Sequence, residues 1–218
     1  DLFAARSQAK AIAAQEDGRM AEEIVPVSVP QRKGDPIIVE ADEHPRPGTT
    51  VEVLAKLRPA FRKGGTVTAG NSSGVNDGAC ALIVANEEAA KKHGLKPLAR
   101  ILGTAAAGVA PRVMGLGPIP ASRKVLGRLS LKIEDMDIIE LNEAFAAVVL
   151  RYMEVLGLDH DKINVNGGAI AMGHPLGATG AMILGTLLDE MERRDLGTGL
   201  ATLCVGAGMG TATVIERV

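Results

Sequence analysis

The sequence predicts an α/β fold in which helices cover β-sheets in layers. Strand-like apolar runs alternate with segments of helical periodicity from Thr66 onward, which is typical of α/β proteins. Aromatic residues make up only 2% of the chain and Trp is absent, so the core is left to small and aliphatic side chains. Residues 66–87 and 200–216 also share one plan, a strand, a glycine-rich bend and a returning strand. Two copies of one half-fold would explain this echo, as would two unrelated hairpins.

The first element is a helix. Apolar residues recur at helical spacing from Leu2 to Ala13, and Gly18 fits a C-terminal cap. The helical periodicity begins at once after Asp1, so the sequence begins inside or directly against a helix, and it begins without Met. We therefore expect the chain to be part of a longer protein.

Residues 23–63 contain short β-like pieces, "EIVPVSV" and "PIIVEAD", separated by six prolines. Proline removes a backbone donor and is confined to strand edges and loops. This stretch is predicted to form edge strands and loops rather than a central sheet.

The remaining elements follow from periodicity and from glycine and proline signals. Asn142 stands where a strand ends and a helix begins, which is an N-cap position. The predicted strands are residues 66–70, 79–85, 99–109 and 136–141 and two strands around the glycine turn of 206–210; the predicted helices are 86–94, 118–129, 142–157 and 178–194.

Composition excludes several classes of protein. The net charge is −2 and no basic stripe with interleaved aromatics is present, which argues against a nucleic-acid partner. No apolar run reaches the 18 or so residues of a membrane span, so no membrane partner is expected. Cys80 and Cys204 lie far apart without metal-binding spacing, which predicts no disulfide framework, no metal site and a reducing, cytoplasmic location.

His174 is the first candidate for chemistry. It lies in "GGAIAMGHPLGATGA", residues 167–181, surrounded by glycines, and Pro175 biases it toward an extended conformation just before a helix. Glycine allows a ligand to approach the main chain closely. We interpret His174 as a functional side chain on a loop; the alternative is a histidine that only bonds a neighbouring carbonyl.

Asn142 and Cys204 are the other two candidates. Asn142 either caps its helix or uses its carboxamide to orient a water or polarise a carbonyl, since ligands gather where strands of open α/β sheets end. Cys204 meets a glycine bend at the end of a strand, and a thiol near an imidazole loses its proton readily. Cys80, inside the strand-like "GACALIVA", is predicted to be a small core residue.

Three motifs together resemble the thiolases, the acyl-CoA C-acetyltransferases. They are "NEAFA" at 142–146, "NGGAIAMGHPLGATGA" at 166–181 and "CVGAGMG" at 204–210, in the order and approximate spacing of that family. "TVTAGNSSGVNDGA" at 66–79 resembles the family's coenzyme A-binding segment, although it could also be only an Asn/Gly turn. The resemblance covers about the C-terminal half of a thiolase, and neither cysteine here matches the family's acylated cysteine.

The resemblance implies a layered αβαβα fold made of two similar halves, with an inserted loop domain that covers coenzyme A. Residues 1–74 would be the remainder of the loop domain and its return segment. Residues 75–95 would close the N-terminal half, and residues 96–218 would form the C-terminal domain.

The resemblance also implies roles for individual residues. His174 would activate the nucleophilic thiol and donate to the thioester oxygen, and Asn142 would hold a water in the same oxyanion hole. Cys204 would exchange the α-proton, and Gly206 would lend its N–H to a second oxyanion hole. For coenzyme A, Ser73 matches a position that bonds the pantetheine. Phe61 matches one that packs on the cofactor, and its alternative is core packing.

The implied reaction is acyl transfer between a 3-ketoacyl-CoA and coenzyme A, with no permanently bound cofactor. "GVAPRVMGLGPIPASRK" and "ADEHPRPGTT" resemble 3-oxoadipyl-CoA thiolases, whereas the segment around His174 resembles fatty-acid or acetoacetyl-CoA enzymes equally. The expected partners are coenzyme A thioesters, the missing N-terminal half and a second copy in a homodimer or homotetramer. The alternative is a catalytically silent coenzyme A-binding or assembly module; Asn142 argues against a ketoacyl synthase, which would want histidine there.

Overall fold

The computed structural model describes residues 1–218. Short 3-10 turns connect several of its elements. The helices are α1 (Leu2–Glu16), α2 (Val51–Leu54), α3 (Glu87–Lys92), α4 (Pro118–Leu129), α5 (Ala146–Leu156), α6 (Ala169–Met172) and α7 (Thr179–Arg193). The strands are β1 (Val27–Val29), β2 (Ile37–Val39), β3 (Ala99–Gly108), β4 (Ile138–Leu141), β5 (Thr198–Val205) and β6 (Met209–Arg217).

A four-stranded mixed sheet in the order β3-β6-β5-β4 forms the centre of the molecule. β6 pairs antiparallel with both β3 and β5, while β4 runs parallel to β5. The parallel pair needs a long crossover, and α5, α6 and α7 lie within that crossover. β4 and β5 therefore end at the same edge of the sheet.

Helices cover both faces of this sheet. Because successive side chains of a strand point to opposite faces, Ile139 and Leu200 enter a large core with α4 and α5. Ile138 and Ala201 enter a smaller core with Leu187 of α7. The result is an α/β/α arrangement, as the sequence predicted for the region after residue 95.

Several predicted elements are confirmed with small shifts of their ends. α1, α3, α4, α7, β3 and β4 form at the predicted positions, and β5 and β6 form the predicted hairpin. The proline-rich stretch is also as expected, because β1 and β2 make only an exposed two-stranded hairpin outside the central sheet. No helix combines the length and the hydropathy that a bilayer crossing requires.

The strands predicted at residues 66–70 and 79–85 are wrong. Neither segment forms a strand, and Ile83 is 84% exposed. A strand requires a hydrogen-bonded neighbour, and no strand of this chain lies beside either segment. The hairpin expected for residues 66–87 is therefore not formed, and Cys80, expected in the core, is exposed.

The expected N-cap role of Asn142 is also wrong. α5 begins four residues later, at Ala146, with Phe145 in the N-cap position. Ala146 donates its N–H to the Asn71 carbonyl at 2.9 Å, so a different segment satisfies the helix start. The Asn142 N–H instead extends the β4 ladder to the Thr202 carbonyl at 3.1 Å, which leaves the carboxamide free for another partner.

Candidate active site

Two of the three candidate residues come from neighbouring strands at one edge of the sheet. Asn142 follows the last residue of β4, and Cys204 is the next-to-last residue of β5. In the register of this parallel pair Leu141 lies opposite Thr202, so Asn142 and Cys204 are within a few residues of each other along the edge. Such carboxyl ends are where open α/β sheets bind ligands.

His174 reaches the same edge from the loop between α6 and α7. Its Nε2 lies 3.3 Å from the carboxamide nitrogen of Asn142. On its other side, Nδ1 lies 2.7 Å from the hydroxyl of Thr179, the first residue of α7. The sequence-predicted histidine and asparagine therefore touch, although 32 positions separate them along the chain.

The loop that carries His174 is fixed at its backbone. The His174 N–H donates to the side-chain oxygen of Asn76 at 3.1 Å. Gly173 precedes it with φ +89°, and a Cβ there would lie 2.5 Å from the same Asn76 oxygen. Only glycine meets both conditions, because that conformation and that approach strain any other residue.

The surroundings of His174 keep the imidazole neutral. Burial lowers its pKa, since desolvation disfavours the charged form and no charged group compensates. A neutral imidazole at pH 7 has one nitrogen free to accept a proton. The arrangement can therefore act as a general base.

Cys204 is a buried free thiol, 8% exposed. Burial raises its pKa, and a backbone hydrogen bond only partly opposes this. The expectation that its surroundings ease loss of the proton is therefore wrong for this chain, because no cation lies against the sulfur. The thiol is protonated at neutral pH and can serve as a proton donor.

Gly206 begins the turn that joins β5 to β6. It is exposed, and a Cβ built on it would meet no atom within 4 Å. It stands two positions after Cys204, so its main chain lies at the same edge of the sheet, with open space where a side chain would begin.

Glu143 is a buried carboxylate beside Asn142 that connects three segments. It accepts hydrogen bonds from the Ser7 hydroxyl at 2.6 Å, from Asn164 at 3.0 Å and from the Ile170 N–H at 3.2 Å. Burial raises its pKa, while these three hydrogen bonds act in the opposite direction. Because Ile170 belongs to α6, Glu143 joins α1, the Asn142 segment and the helix that leads to His174.

The predicted coenzyme A-binding residues lie next to the same segment. Ser73 is half-buried and donates its backbone N–H to the Ala144 carbonyl at 3.1 Å. Phe61 is 72% exposed, which excludes the core-packing alternative, and its ring meets Phe145 edge-on at 5.9 Å. Phe61 and Phe145 line a mainly apolar groove of about 440 Å³ that also includes Arg112.

Three further residues contribute to this site, and the sequence alone did not indicate a role for them. Thr179 and Glu143 stand inside motifs already singled out, five residues after His174 and directly after Asn142. Asn76 lies in the polar turn "NSSGVNDG". Their polar side chains within glycine-rich or apolar motifs were the available signal, but their partners are set by the tertiary fold.

Two family models match the chain along nearly its whole length. A model described as "Thiolase, C-terminal domain" matches residues 95–217. A model described as "Thiolase, N-terminal domain" matches residues 1–88. Every candidate residue named above falls within one of the two matched ranges.

Curated relatives with thiolase names are similar over the full chain. An "Acetyl-CoA acetyltransferase" of Thiocystis violacea is 57% identical over 217 residues, which is 100% of this chain and 55% of that protein. A "Beta-ketoadipyl-CoA thiolase" of Pseudomonas aeruginosa is 59% identical over 220 residues, with the same two shares. The chain thus spans about half the length of the curated relatives it matches.

Solved structures of thiolases are also similar to this chain. The acetyl-CoA acetyltransferase of Bacillus anthracis superposes with a TM-score of 0.95 at 49% identity, over 99% of this chain and 55% of that one. Human mitochondrial 3-ketoacyl-CoA thiolase in complex with CoA gives a TM-score of 0.93 at 46% identity, over 99% and 53%. The fold is therefore the thiolase α/β fold, and by sequence and structure together this chain belongs to the thiolase family.

Proposed function

We propose that this chain supplies one part of a thiolase that transfers an acyl group between a 3-ketoacyl-CoA and coenzyme A. The observation that carries the proposal is the contact between His174 and Asn142 at the sheet edge where Cys204 also lies. The imidazole and the carboxamide touch there, the thiol lies near the end of the neighbouring strand, and the directions of the His174 and Cys204 pKa shifts fit a proton acceptor and a proton donor. Curated relatives that are 57% and 59% identical to this chain carry acetyl-CoA acetyltransferase and thiolase names.

The proposed chemistry begins with His174. Its neutral ring takes the proton of a nucleophilic cysteine, which attacks the keto carbon of the substrate. The imidazolium then donates to the thioester oxygen of the substrate, and a water held by Asn142 completes that oxyanion hole. The carbon–carbon bond breaks, and the acyl group remains on the cysteine.

Gly206 and Cys204 act on different parts of the substrate. The Gly206 N–H belongs to a second oxyanion hole, for the oxygen on the attacked keto carbon, and the α-carbon of the departing acetyl-CoA enolate takes a proton from the Cys204 thiol. The raised pKa of Cys204 fits this donation, because the thiol is protonated before the bond breaks. Coenzyme A then gives its thiol proton to the Cys204 thiolate and takes the acyl group from the nucleophilic cysteine, whose sulfur recovers its proton from the His174 imidazolium.

We place the coenzyme A subsite along Ser73 and Phe61. Ser73 lies beside the segment that carries Asn142, and its position supports a contact with pantetheine. The exposed ring of Phe61 and the apolar groove that it lines support packing against the same cofactor. No further cofactor is proposed, and no three His, Cys, Asp or Glu side chains cluster as a metal site would require.

The nucleophilic cysteine is proposed to come from the N-terminal portion of a thiolase. Cys204 is given the acid/base role and Cys80 lies on an exposed segment, and neither matches the acylated cysteine of the family, so neither is assigned this role. By itself the 218-residue chain is therefore proposed to be a silent coenzyme A-binding or assembly module. The division at residues 74 and 95, a homodimer or homotetramer, and a cytoplasmic location are further proposals of the same thiolase assignment.

The experiment uses a protein in which the N-terminal portion of the Thiocystis violacea relative precedes this chain. We expect His174→Asn to lower kcat for thiolysis of acetoacetyl-CoA by ~10² to 10⁴-fold, because the proton acceptor is lost. Cys204→Ser is expected to have an effect of the same order, and His93→Asn, at an exposed histidine, is the matched control. Full activity of His174→Asn would contradict the proposal.

The acyl preference is decided in the same protein. The two relatives are 57% and 59% identical yet have different substrate names, so identity alone does not select one. Comparing kcat/KM for acetoacetyl-CoA, 3-oxoadipyl-CoA and a long-chain 3-ketoacyl-CoA assigns the chain to acetoacetyl-CoA turnover, to aromatic-compound degradation or to fatty-acid degradation.

A further inference from the structure

The hydroxyl of Thr179 stands between the His174 ring and the backbone. Its oxygen lies 2.7 Å from His174 Nδ1 and 2.9 Å from the Pro175 carbonyl oxygen. Thr179 is 3% exposed, so water does not compete for these contacts. A hydroxyl has one hydrogen to donate and two lone pairs to accept with. If the hydroxyl donates its hydrogen to the Pro175 carbonyl, it can therefore only accept a hydrogen bond from His174 Nδ1.

The other ring nitrogen decides how the protons are arranged. With the carboxamide nitrogen of Asn142 facing it, Nε2 is the accepting nitrogen, and the Oδ1 of the same carboxamide is buried without a hydrogen-bond partner. The neutral ring then carries its proton on Nδ1 and donates it to the Thr179 hydroxyl. That hydroxyl in turn donates to the Pro175 carbonyl, and every hydrogen in the chain of contacts has an acceptor.

The opposite arrangement pairs the groups poorly. A proton on Nε2 would point at the Asn142 amide hydrogens, so two donors would face each other. It would also require the Thr179 hydroxyl to turn from the Pro175 carbonyl to Nδ1. Reversing the Asn142 carboxamide would relieve the first conflict, and the measurement below distinguishes that case.

We infer that Thr179 is a positioning residue that holds neutral His174 in the Nδ1–H form and so keeps Nε2 unprotonated at the sheet edge. To take up a proton, Nε2 gives up its contact with the Asn142 carboxamide nitrogen, whereas Nδ1 continues to donate to the same hydroxyl. What the accepted proton is used for rests on the proposed function; the position of the ring proton does not.

A hydroxyl suits this task because it is uncharged. A carboxylate at the same place would orient the ring equally well, but it would also stabilise the imidazolium. Here burial alone sets the direction of the His174 pKa, which is downward. The ring is thereby oriented and still neutral before the reaction.

The test is the ¹⁵N NMR spectrum of the histidine side chains in the 218-residue chain at a pH where they are neutral. The chain has four histidines, and the His174 signals are identified by their loss in His174→Gln. We expect a protonated Nδ1 and an unprotonated Nε2. A ring protonated on Nε2, as a reversed Asn142 carboxamide would produce, overturns the inference without any variant.

Three variants then test the part played by the hydroxyl. Thr179→Val keeps the shape and removes the hydroxyl, and should lower the fraction of the Nδ1–H form, because only the Asn142 carboxamide then favours it. Thr179→Ser should retain the Nδ1–H form. Thr186→Val is the matched control, because Thr186 also lies on α7 but donates to Glu23 at 2.6 Å. An unchanged Nδ1–H form in Thr179→Val overturns the inference.

Activity gives a second measurement in the protein joined to the N-terminal portion of a relative. Loss of an orienting partner of a functional histidine costs about 10- to 100-fold, so kcat of Thr179→Val should fall by that factor with KM little changed. Thr179→Ser should restore most of kcat. Equal kcat in the valine variant and the parent would overturn the catalytic part, and absence of thiolysis in both would count against the proposed function instead.

Discussion

The two segments with the same sequence plan, residues 200–216 and residues 66–87, fold in opposite ways. The first becomes the β5–β6 hairpin at the centre of the sheet. The second forms no hairpin, and its apolar residues 79–85 are exposed. The difference shows that an apolar β-like pattern indicates compatibility with a strand, whereas a hydrogen-bonded neighbour decides whether the strand forms.

The second segment is nevertheless ordered where it meets the site. Ser72 bridges to Phe145, and Asn76 holds the backbone of His174. Its polar half therefore hydrogen-bonds within this chain, whereas its apolar half pairs with no strand and is exposed. The chain spans about half of its relatives' length, and we propose that the N-terminal portion of a thiolase supplies the neighbour of residues 79–85.

The largest contrast is expected for apolar truncations in the two segments. Leu200 is fully buried in the main core, so Leu200→Ala should lower the free energy of unfolding by ~2–5 kcal/mol. Ile83 is 84% exposed, and Ile83→Ala should change it by no more than ~0.5 kcal/mol. Urea unfolding of both variants measures the two changes in the free energy of unfolding. Similar losses of stability in the two variants would contradict the expected difference.

A smaller loss is expected for Gly210, which lies opposite Cys204 in the hairpin. The backbone of Gly117, just before α4, packs directly against it, and an added Cβ would collide with that backbone. Gly210→Ala should therefore cost ~1–3 kcal/mol in unfolding experiments. Gly127→Ala, in α4 where a Cβ meets nothing within 4 Å, is the control and should not destabilise. Equal stability of both variants would show that the close approach is unnecessary.

Acid should destabilise the β5–β6 hairpin through α7, which packs on it, whereas the exposed residues 79–85 should not respond. Glu190 of α7 is buried against the sheet; burial alone would raise its pKa, but hydrogen bonds from Arg193 and Asn166 lower it to about 2. Because this lies below the unfolded value of about 4.3, Glu190 stabilises the fold above that pH and loses its contribution as the pH falls toward 2.

Urea unfolding between pH 7 and pH 2.5 measures this loss as a difference between the parent and Glu190→Gln. The variant should lose less stability over that range, because it has no carboxylate to protonate. Residues 79–85 contain no carboxylate, so their exposure should not change with acid. Parallel pH dependences of parent and variant would contradict the role given to Glu190.

The smallest perturbation is chemical labelling, which needs no substitution. Cys80 lies on the exposed segment and Cys204 on the buried strand, where burial also raises its pKa. Cys80 should therefore react first with a thiol reagent at pH 8, and Cys204 only on a much slower time scale. Mass spectrometry of the digested protein assigns the label, and preferential labelling of Cys204 would invert the comparison.

Local sequence signals predicted much of the fold and the principal candidate residues. Helical periodicity located α4 and α7, and the glycines around His174 marked it as unusual. The start of α5 was misplaced because a residue from a distant segment, Asn71, satisfies the first N–H of the helix. That partner is set by the tertiary structure, and a local capping pattern does not contain it.

The residues that hold the site together were missed for the same reason. Glu143 receives the Ser7 hydroxyl across 136 positions, and Asn76 holds His174 across 98. Thr179 is only five positions from His174, but its importance depends on which ring nitrogen faces Asn142. A motif can therefore identify the reactive group, while the tertiary contacts identify what orients it.

The most direct test of the thiolase assignment is the rate of acetoacetyl-CoA thiolysis by two proteins. One is the 218-residue chain alone, and the other is the same chain preceded by the N-terminal portion of a relative. We predict turnover only for the second, because the proposed mechanism needs a nucleophilic cysteine and assigns that role to neither Cys80 nor Cys204. Thiolysis by the 218-residue chain alone, or its absence from the folded joined protein, would contradict the account.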